Sequence, residues 1–193
     1  SESQLSMALP GLLKPSFDQL NIALDLLEKC ILEDHRILIV GDFDADGATA
    51  SAVAIKALRL MGAKHIDFLV PNRFKHGYGL SPEIVQEAKT DKDPNLIITV
   101  DNGISSNEGA ALARSLAIDV IITDHHLPPK VLPEANSIIN PNLRGCDFPS
   151  KNLAGVGVCF YLFSALKTHL AGKGYFEAHN IQVPDLRELL DLV

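Results

Sequence analysis

Apolar residues in this chain follow two rhythms. Four short runs are apolar at nearly every position and stop at a polar or turn residue: Arg36-Ile37-Leu38-Ile39-Val40, Ile66-Asp67-Phe68-Leu69-Val70, Leu96-Ile97-Ile98-Thr99-Val100 and Asp119-Val120-Ile121-Ile122-Thr123. Runs of this length, rich in β-branched residues, predict strands buried on both faces. Ser137-Ile138-Ile139 predicts a shorter fifth strand. Between them the period lengthens. The stretch from Gly47 to Met61 is rich in Ala, Val, Ile and Leu and reaches Gly62, which reads as its C-terminal cap. Ser81-Pro82-Glu83 supplies an N-cap, a proline at the first helical position and an acid in the first turn. Ser105 to Leu116 is an alanine-rich third helix.

Strands alternating with helices of this length imply right-handed crossovers. The expected fold class is therefore α/β, a parallel sheet covered by helices on both faces. Ahead of it, Phe17, Leu20, Leu24, Leu27 and Ile31 recur at helical spacing behind Ser16, a helical lead-in over residues 1–34. A long helix is expected from Leu153 to Ala171. The final stretch, Pro184 to Val193, stops without a cap or polar tail, as a cut inside a longer protein would.

Composition narrows the class. The chain has 193 residues, 47% hydrophobic and 21% charged. A domain of that size buries about 70% of its unfolded surface and needs no disulfide or metal staple. The apolar runs fall far short of the roughly 20 residues of a membrane span, and the N-terminus lacks a secretory pattern. Cys30, Cys146 and Cys159 form no CxxC pair, which disfavours a zinc ribbon, thioredoxin-like chemistry or a disulfide framework and favours a cytoplasmic setting. The net charge of −7 looks awkward for a nucleic-acid protein. It is concentrated, however: residues 1–124 carry 11 basic and 18 acidic side chains, residues 125–193 six of each. Two divalent cations among those acids would offset most of the excess.

Ligands of parallel sheets gather at the carboxyl ends of the strands. Three of those ends carry metal-type residues: Gly41-Asp42-Phe43-Asp44-Ala45-Asp46-Gly47, Asp101-Asn102-Gly103 and Asp124-His125-His126. An EF-hand would need a Glu twelve positions into the first loop, where Val53 stands, and a helix rather than a strand before it. A dinucleotide turn would not place three carboxylates against a pyrophosphate. Helix capping explains one such Asp but not three converging clusters. Hard divalent cations prefer oxygen ligands, and imidazole among them tilts the preference toward manganese. Paired ions of this kind activate water and clamp the oxygens of an in-line phosphoryl displacement. With no GxSxG and no Walker A lysine, the residues themselves suggest metal-assisted phosphoester hydrolysis.

These three clusters resemble the first three motifs of the DHH phosphoesterase superfamily. Pro71-Asn72-Arg73-Phe74, Gly77-Tyr78-Gly79-Leu80, Asn140-Pro141-Asn142 and Phe148-Pro149-Ser150-Lys151-Asn152-Leu153-Ala154-Gly155-Val156-Gly157-Val158 resemble its single-strand-specific 5′→3′ exonuclease branch. The resemblance runs from about residue 35 onward and implies a DHH domain over 35–193. Asp191-Leu192-Val193 is similar to the start of a fourth motif whose Asp would follow Val193; a second lobe and an OB-fold would then lie outside this chain. It implies two Mn2+ or Mg2+ ions, with Asp42 and Asp44 on the first, Asp46 and His125 on the second, and Asp101 bridging both. His126 would contact the scissile phosphate, and Asp124 would orient the histidine pair or cap the loop rather than ligate. It implies single-stranded DNA as substrate, in repair and recombination, with a single-strand-binding protein and a helicase as further partners and no membrane.

Arg73, Lys75 and Tyr78 suit a nucleic-acid strand through phosphate contacts and base stacking, or equally a solvated loop anchored by the tyrosine. Ser150, Lys151 and Asn152 precede a helix whose N-terminal amides could hold phosphate, although the following glycines also suit close helix packing. Two other functions stay open at this point: a phosphodiesterase of short oligonucleotides or cyclic dinucleotides (or a pyrophosphatase) with the same site, and a catalytically silent DNA-binding module.

Overall fold

The computed structural model describes residue 17, residues 19–71 and residues 77–193. Five strands form one wholly parallel sheet in the order β2-β1-β3-β4-β5: β1 (Ile37–Gly41), β2 (Ile66–Leu69), β3 (Leu96–Val100), β4 (Asp119–Thr123) and β5 (Ser137–Ile139). Between and after them lie α1 (Leu20–Leu32), α2 (Ala45–Leu60), α3 (Pro82–Asp91), α4 (Asn107–Ser115), α5 (Gly155–Gly172), α6 (Tyr175–Ala178) and a 3-10 segment, Leu186–Leu192. The fold is α/β, as the alternation predicts.

The uninterrupted apolar strands feed two cores at once, because successive side chains point to opposite faces. Ile37, Ile39, Leu96, Ile98 and Ile121 pack with α1, α2 and α5 on one face. Leu38, Val40, Ile97, Val120 and Ile122 pack with α3 and α4 on the other. Edge strand β2 is the exception, only partly buried along its length, with Phe68 exposed. α5 is apolar on nearly every side and is buried along most of its length. Among the described residues no helix is long and apolar enough to cross a membrane.

Local signals act largely as expected. α2 closes with Gly62 N–H on the Arg59 carbonyl and Ala63 N–H on that of Leu58, and Gly62 takes φ +94°. Ser81 caps α3, accepting from Ile84 N–H. α1 begins later than its periodicity suggests, at Leu20 behind Gln19; Ser16 lies outside the described residues. Gln19 serves the sheet instead. Its side-chain oxygen accepts from Ile138 N–H at 2.7 Å and its carbonyl from the Ser137 hydroxyl at 2.9 Å, so α1 covers edge strand β5 and shares the domain's core. Cys30, Cys146 and Cys159 are buried.

Gly109 sets how closely α4 approaches the turn before α3. A Cβ there would lie 1.8 Å from the Leu80 carbonyl oxygen. Helix propensity favours Ala over Gly by about 1 kcal/mol, but a clash with backbone cannot be relieved by a rotamer change. Gly109→Ala is therefore expected to destabilise the chain by about 2 kcal/mol. Urea denaturation checks this, and an unchanged or raised midpoint would overturn it.

Candidate metal centre

Strand register builds the site. Gly41 is level with Val100, and Val100 with Thr123, so the next residue on each strand leaves the sheet abreast of its neighbours. Those residues are Asp42, Asp101 and Asp124. Adjacent strands lie about 4.8 Å apart, which sets the spacing of the three carboxylates. Strand order reverses direction between β1 and β3, where an open α/β sheet leaves a crevice beyond its carboxyl edge.

Asp101, in the middle, is the most constrained. It is 2% exposed and adopts φ +61°, a left-handed conformation that costs an ordinary residue about 1–2 kcal/mol. Burial, reinforced by the negative charges of Asp46 and Asp44, pushes its carboxyl up to about 8. Its Oδ1 is buried without a hydrogen-bond partner; His125 Nε2 lies 3.1 Å away but out of alignment.

The flanking acids are satisfied by main chain. Asp42 accepts from Phe43 N–H at 2.7 Å, and Asp44 caps α2 by accepting from Gly47 N–H at 2.9 Å. Asp124 Oδ1 accepts from the N–H groups of His125 and His126 and meets His126 Nδ1 at 2.7 Å. Its Oδ2 accepts from Ile104 N–H at 2.9 Å. Asp124 thus bonds the main chain of both histidines and the ring of His126. Burial lowers the His126 pKa, but the hydrogen bond and charge of Asp124, with Asp101 and Asp42, outweigh it and leave the imidazole raised. Tyr78 joins the site: its ring meets His126 edge-on at 6.3 Å. Burial, the Asp42, Asp124 and Asp101 charges and a hydrogen bond to Asp42 all raise its phenol.

Two ligand groups emerge at this edge of the sheet. Donor atoms of Asp42, Asp44 and Asp101 lie within 4.8 Å of one another, as do those of Asp101, His125 and His126. Asp101 is common to both. An orphaned buried carboxylate oxygen at the junction of an all-oxygen cluster and an imidazole-rich one fits divalent cations of the magnesium–manganese type. Asp46 stands at the edge of the second group, its Oδ2 4.0 Å from His125 Nε2. Both its oxygens accept backbone N–H groups of α5, from Gly155 and Val156, at 2.8 Å each.

That contact corrects one expectation. The first amides of α5 are taken by Asp46, so they are not spare donors for phosphate. The Lys151 ammonium likewise donates to the Pro141 and Cys146 carbonyls, at 2.6 and 2.7 Å. Ser150 and Asn152 stand in the loop before α5, and Arg73 and Lys75 lie outside the described residues. Gly155, one of the glycines suited to close packing, fits that reading: a Cβ there would lie 2.2 Å from Asp101 Oδ1. The sequence did not reveal the role of Asn102, whose amide donates to the Val40 and Val100 carbonyls at 3.0 and 2.9 Å and ties the ends of β1 and β3 together. The direct adjacency of Asn102 to Asp101 is its one sequence signal. Away from the site, His169 meets Glu28 at 2.8 Å; Lys173 also pairs with Glu28, joining α1 to α5.

The raised Asp101 pKa has a definite sign in stability. The folded chain holds that proton to about pH 8, whereas the unfolded chain releases it near pH 4. The stabilisation is complete below about pH 4 and is lost as pH rises through about 8. In chelator, Asp101→Asn should melt at a higher temperature than the parent at pH 8 and at nearly the same temperature at pH 4. Mn2+ should raise the parent's melting temperature more than the variant's. Thermal melts at the two pH values decide it, and identical pH dependence in both proteins would overturn the assignment.

Comparison with known proteins identifies the family. Residues 36–193 match the DHH family, N-terminal domain. The chain is 54% identical, along all of its length, to the single-stranded-DNA-specific exonuclease RecJ of Escherichia coli (strain K12), of which it covers 33%. A crystal structure of exonuclease RecJ bound to manganese superposes with a TM-score of 0.72 at 34% identity, over 80% of this chain and 38% of that one. The Mn2+ complex of RecJ from Thermus thermophilus gives 0.71 at 31% identity, over 87% and 23%. The chain spans about a third of the length of the curated relatives it matches. With its fold, its three strand-end clusters and a family match over most of its length, the chain belongs to the DHH family.

Proposed function

We propose that this chain is the first catalytic portion of a metal-dependent exonuclease that degrades single-stranded DNA from its 5′ end, releasing 5′-mononucleotides. The observation that carries the reading is the pair of ligand groups sharing Asp101, a buried carboxylate whose Oδ1 has no hydrogen-bond partner. Identity to exonucleases specific for single-stranded DNA supports the substrate. Asp42, Asp44 and Asp101 would hold one Mn2+ or Mg2+ ion; Asp101 and His125, with Asp46 beside them, would hold the second. Bound there, such ions supply an activated water and offset charge on the phosphodiester oxygens.

The chain's own groups do the rest. With Nδ1 engaged by Asp124, His126 presents Nε2 to a nonbridging phosphate oxygen, and its raised pKa keeps a proton available to steady the developing charge. Tyr78, half exposed beside His126, offers a face for a base. Asp124 keeps the imidazole in one tautomer. We place residues 35–193 as the DHH domain of a longer cytoplasmic enzyme whose grip on DNA comes mostly from further lobes. A single-strand-binding protein and a helicase would deliver its substrate during repair and recombination.

The test follows mononucleotide release from long single-stranded DNA by the full-length enzyme in Mn2+, with either end blocked. Release should require an open 5′ end and fall to background in Asp101→Ala. Release indifferent to the 5′ end, or turnover confined to short or cyclic substrates, would overturn the reading. His126→Ala should hold Mn2+ within about twofold of the parent while kcat drops by about 10²–10³-fold. Loss of metal instead would make His126 a ligand.

A further inference from the structure

The two histidines sit in a loop with no strand or helix to hold them, yet each carries a role that tolerates only about 0.5 Å of misplacement. Asp124 fixes their N–H groups. Their carbonyls are held by the turn that leaves β5. Asn140, fully buried, donates from Nδ2 to the His126 carbonyl at 2.9 Å. Asn142 donates from Nδ2 to the His125 carbonyl at 2.5 Å. The two asparagines are locked to each other, Asn142 N–H donating to Asn140 Oδ1 at 2.8 Å. Pro141 between them limits backbone freedom, and its carbonyl accepts from the Lys151 ammonium.

We propose that Asn140 and Asn142 are positioning residues, each dedicated to one histidine: Asn142 sets His125 for metal binding, and Asn140 sets His126 for the scissile phosphate. The division of labour follows from the bonding. Each amide donates to one histidine carbonyl, and Asn140 Oδ1 is already taken by Asn142 N–H. Losing the outer support of a ligand or catalytic imidazole costs about 10–100-fold in affinity or activity. The Asn140 half rests on the exonuclease reading; the Asn142 half needs only a bound cation.

Two measurements separate these roles from a merely structural one. Mn2+ titration of this chain by calorimetry should show affinity about tenfold weaker in Asn142→Ala and within twofold of the parent in Asn140→Ala. In the full-length enzyme, Asn140→Ala should lower kcat at least tenfold with KM for DNA unchanged. Asn140→Asp, which keeps the shape and the acceptor for Asn142 N–H but loses the donor to His126, should reproduce that drop if the alanine variant fails to fold. Parallel losses of metal affinity and kcat in both variants, following their melting temperatures, would overturn the proposal. So would parent-like values in both. Should the parent prove inactive on DNA, the exonuclease reading fails, while the Mn2+ affinity of Asn142→Ala still decides the histidine assignment.

Discussion

Three carboxylates stand side by side at the edge of a parallel sheet, spaced by the distance between neighbouring strands. Like charges at that separation repel, and much of the surrounding structure is arranged to hold them there. Asp124 is surrounded by three N–H groups and an imidazole, and Asp42 receives a main-chain N–H and the Tyr78 hydroxyl. Asp101, between them, receives no such compensation at Oδ1 and instead carries a raised pKa and a left-handed backbone. A divalent cation held there would supply the missing partner and favour the ionised form.

Helix α5 belongs to the same arrangement. Its positive N-terminal end points at the acidic cluster through the two amides that bind Asp46, which lowers the repulsion the cluster must bear. Gly155 makes that approach possible, because any side chain there would occupy the space of the Asp101 carboxylate. The apolar body of α5 then anchors the contact by packing against α2 and α1. Core packing on one face of the sheet and electrostatics at its edge are thereby joined in one helix.

Strands β1, β3 and β4 were readable because burial on both faces forces continuous apolar runs, and Gly62, Ser81 and Pro82 marked helix ends by backbone geometry that few residues supply. Long-range contacts hid other features. Ser16 looked like the cap of the first helix, but that helix starts at Leu20 behind Gln19, which serves β5. Lys151 looked like a phosphate ligand because it precedes a helix; its ammonium instead meets two carbonyls of a loop that only the fold brings near. Asn140 and Asn142 marked a resemblance without revealing a task, since the carbonyls they hold lie 14 and 17 residues back along the chain.

The sequence by itself determined that the chain would fold as a parallel α/β sheet and that Asp, Asn and His would crowd three strand ends. Strand periodicity and ligand chemistry are both written in local residue order. Only the tertiary structure decided which strand ends lie abreast, which acid is left with an unpartnered oxygen, and which amides are already occupied by Asp46. Those outcomes depend on strand order and register. Both are set by how helices from distant parts of the chain pack on the two faces of the sheet, and no local stretch of sequence encodes that.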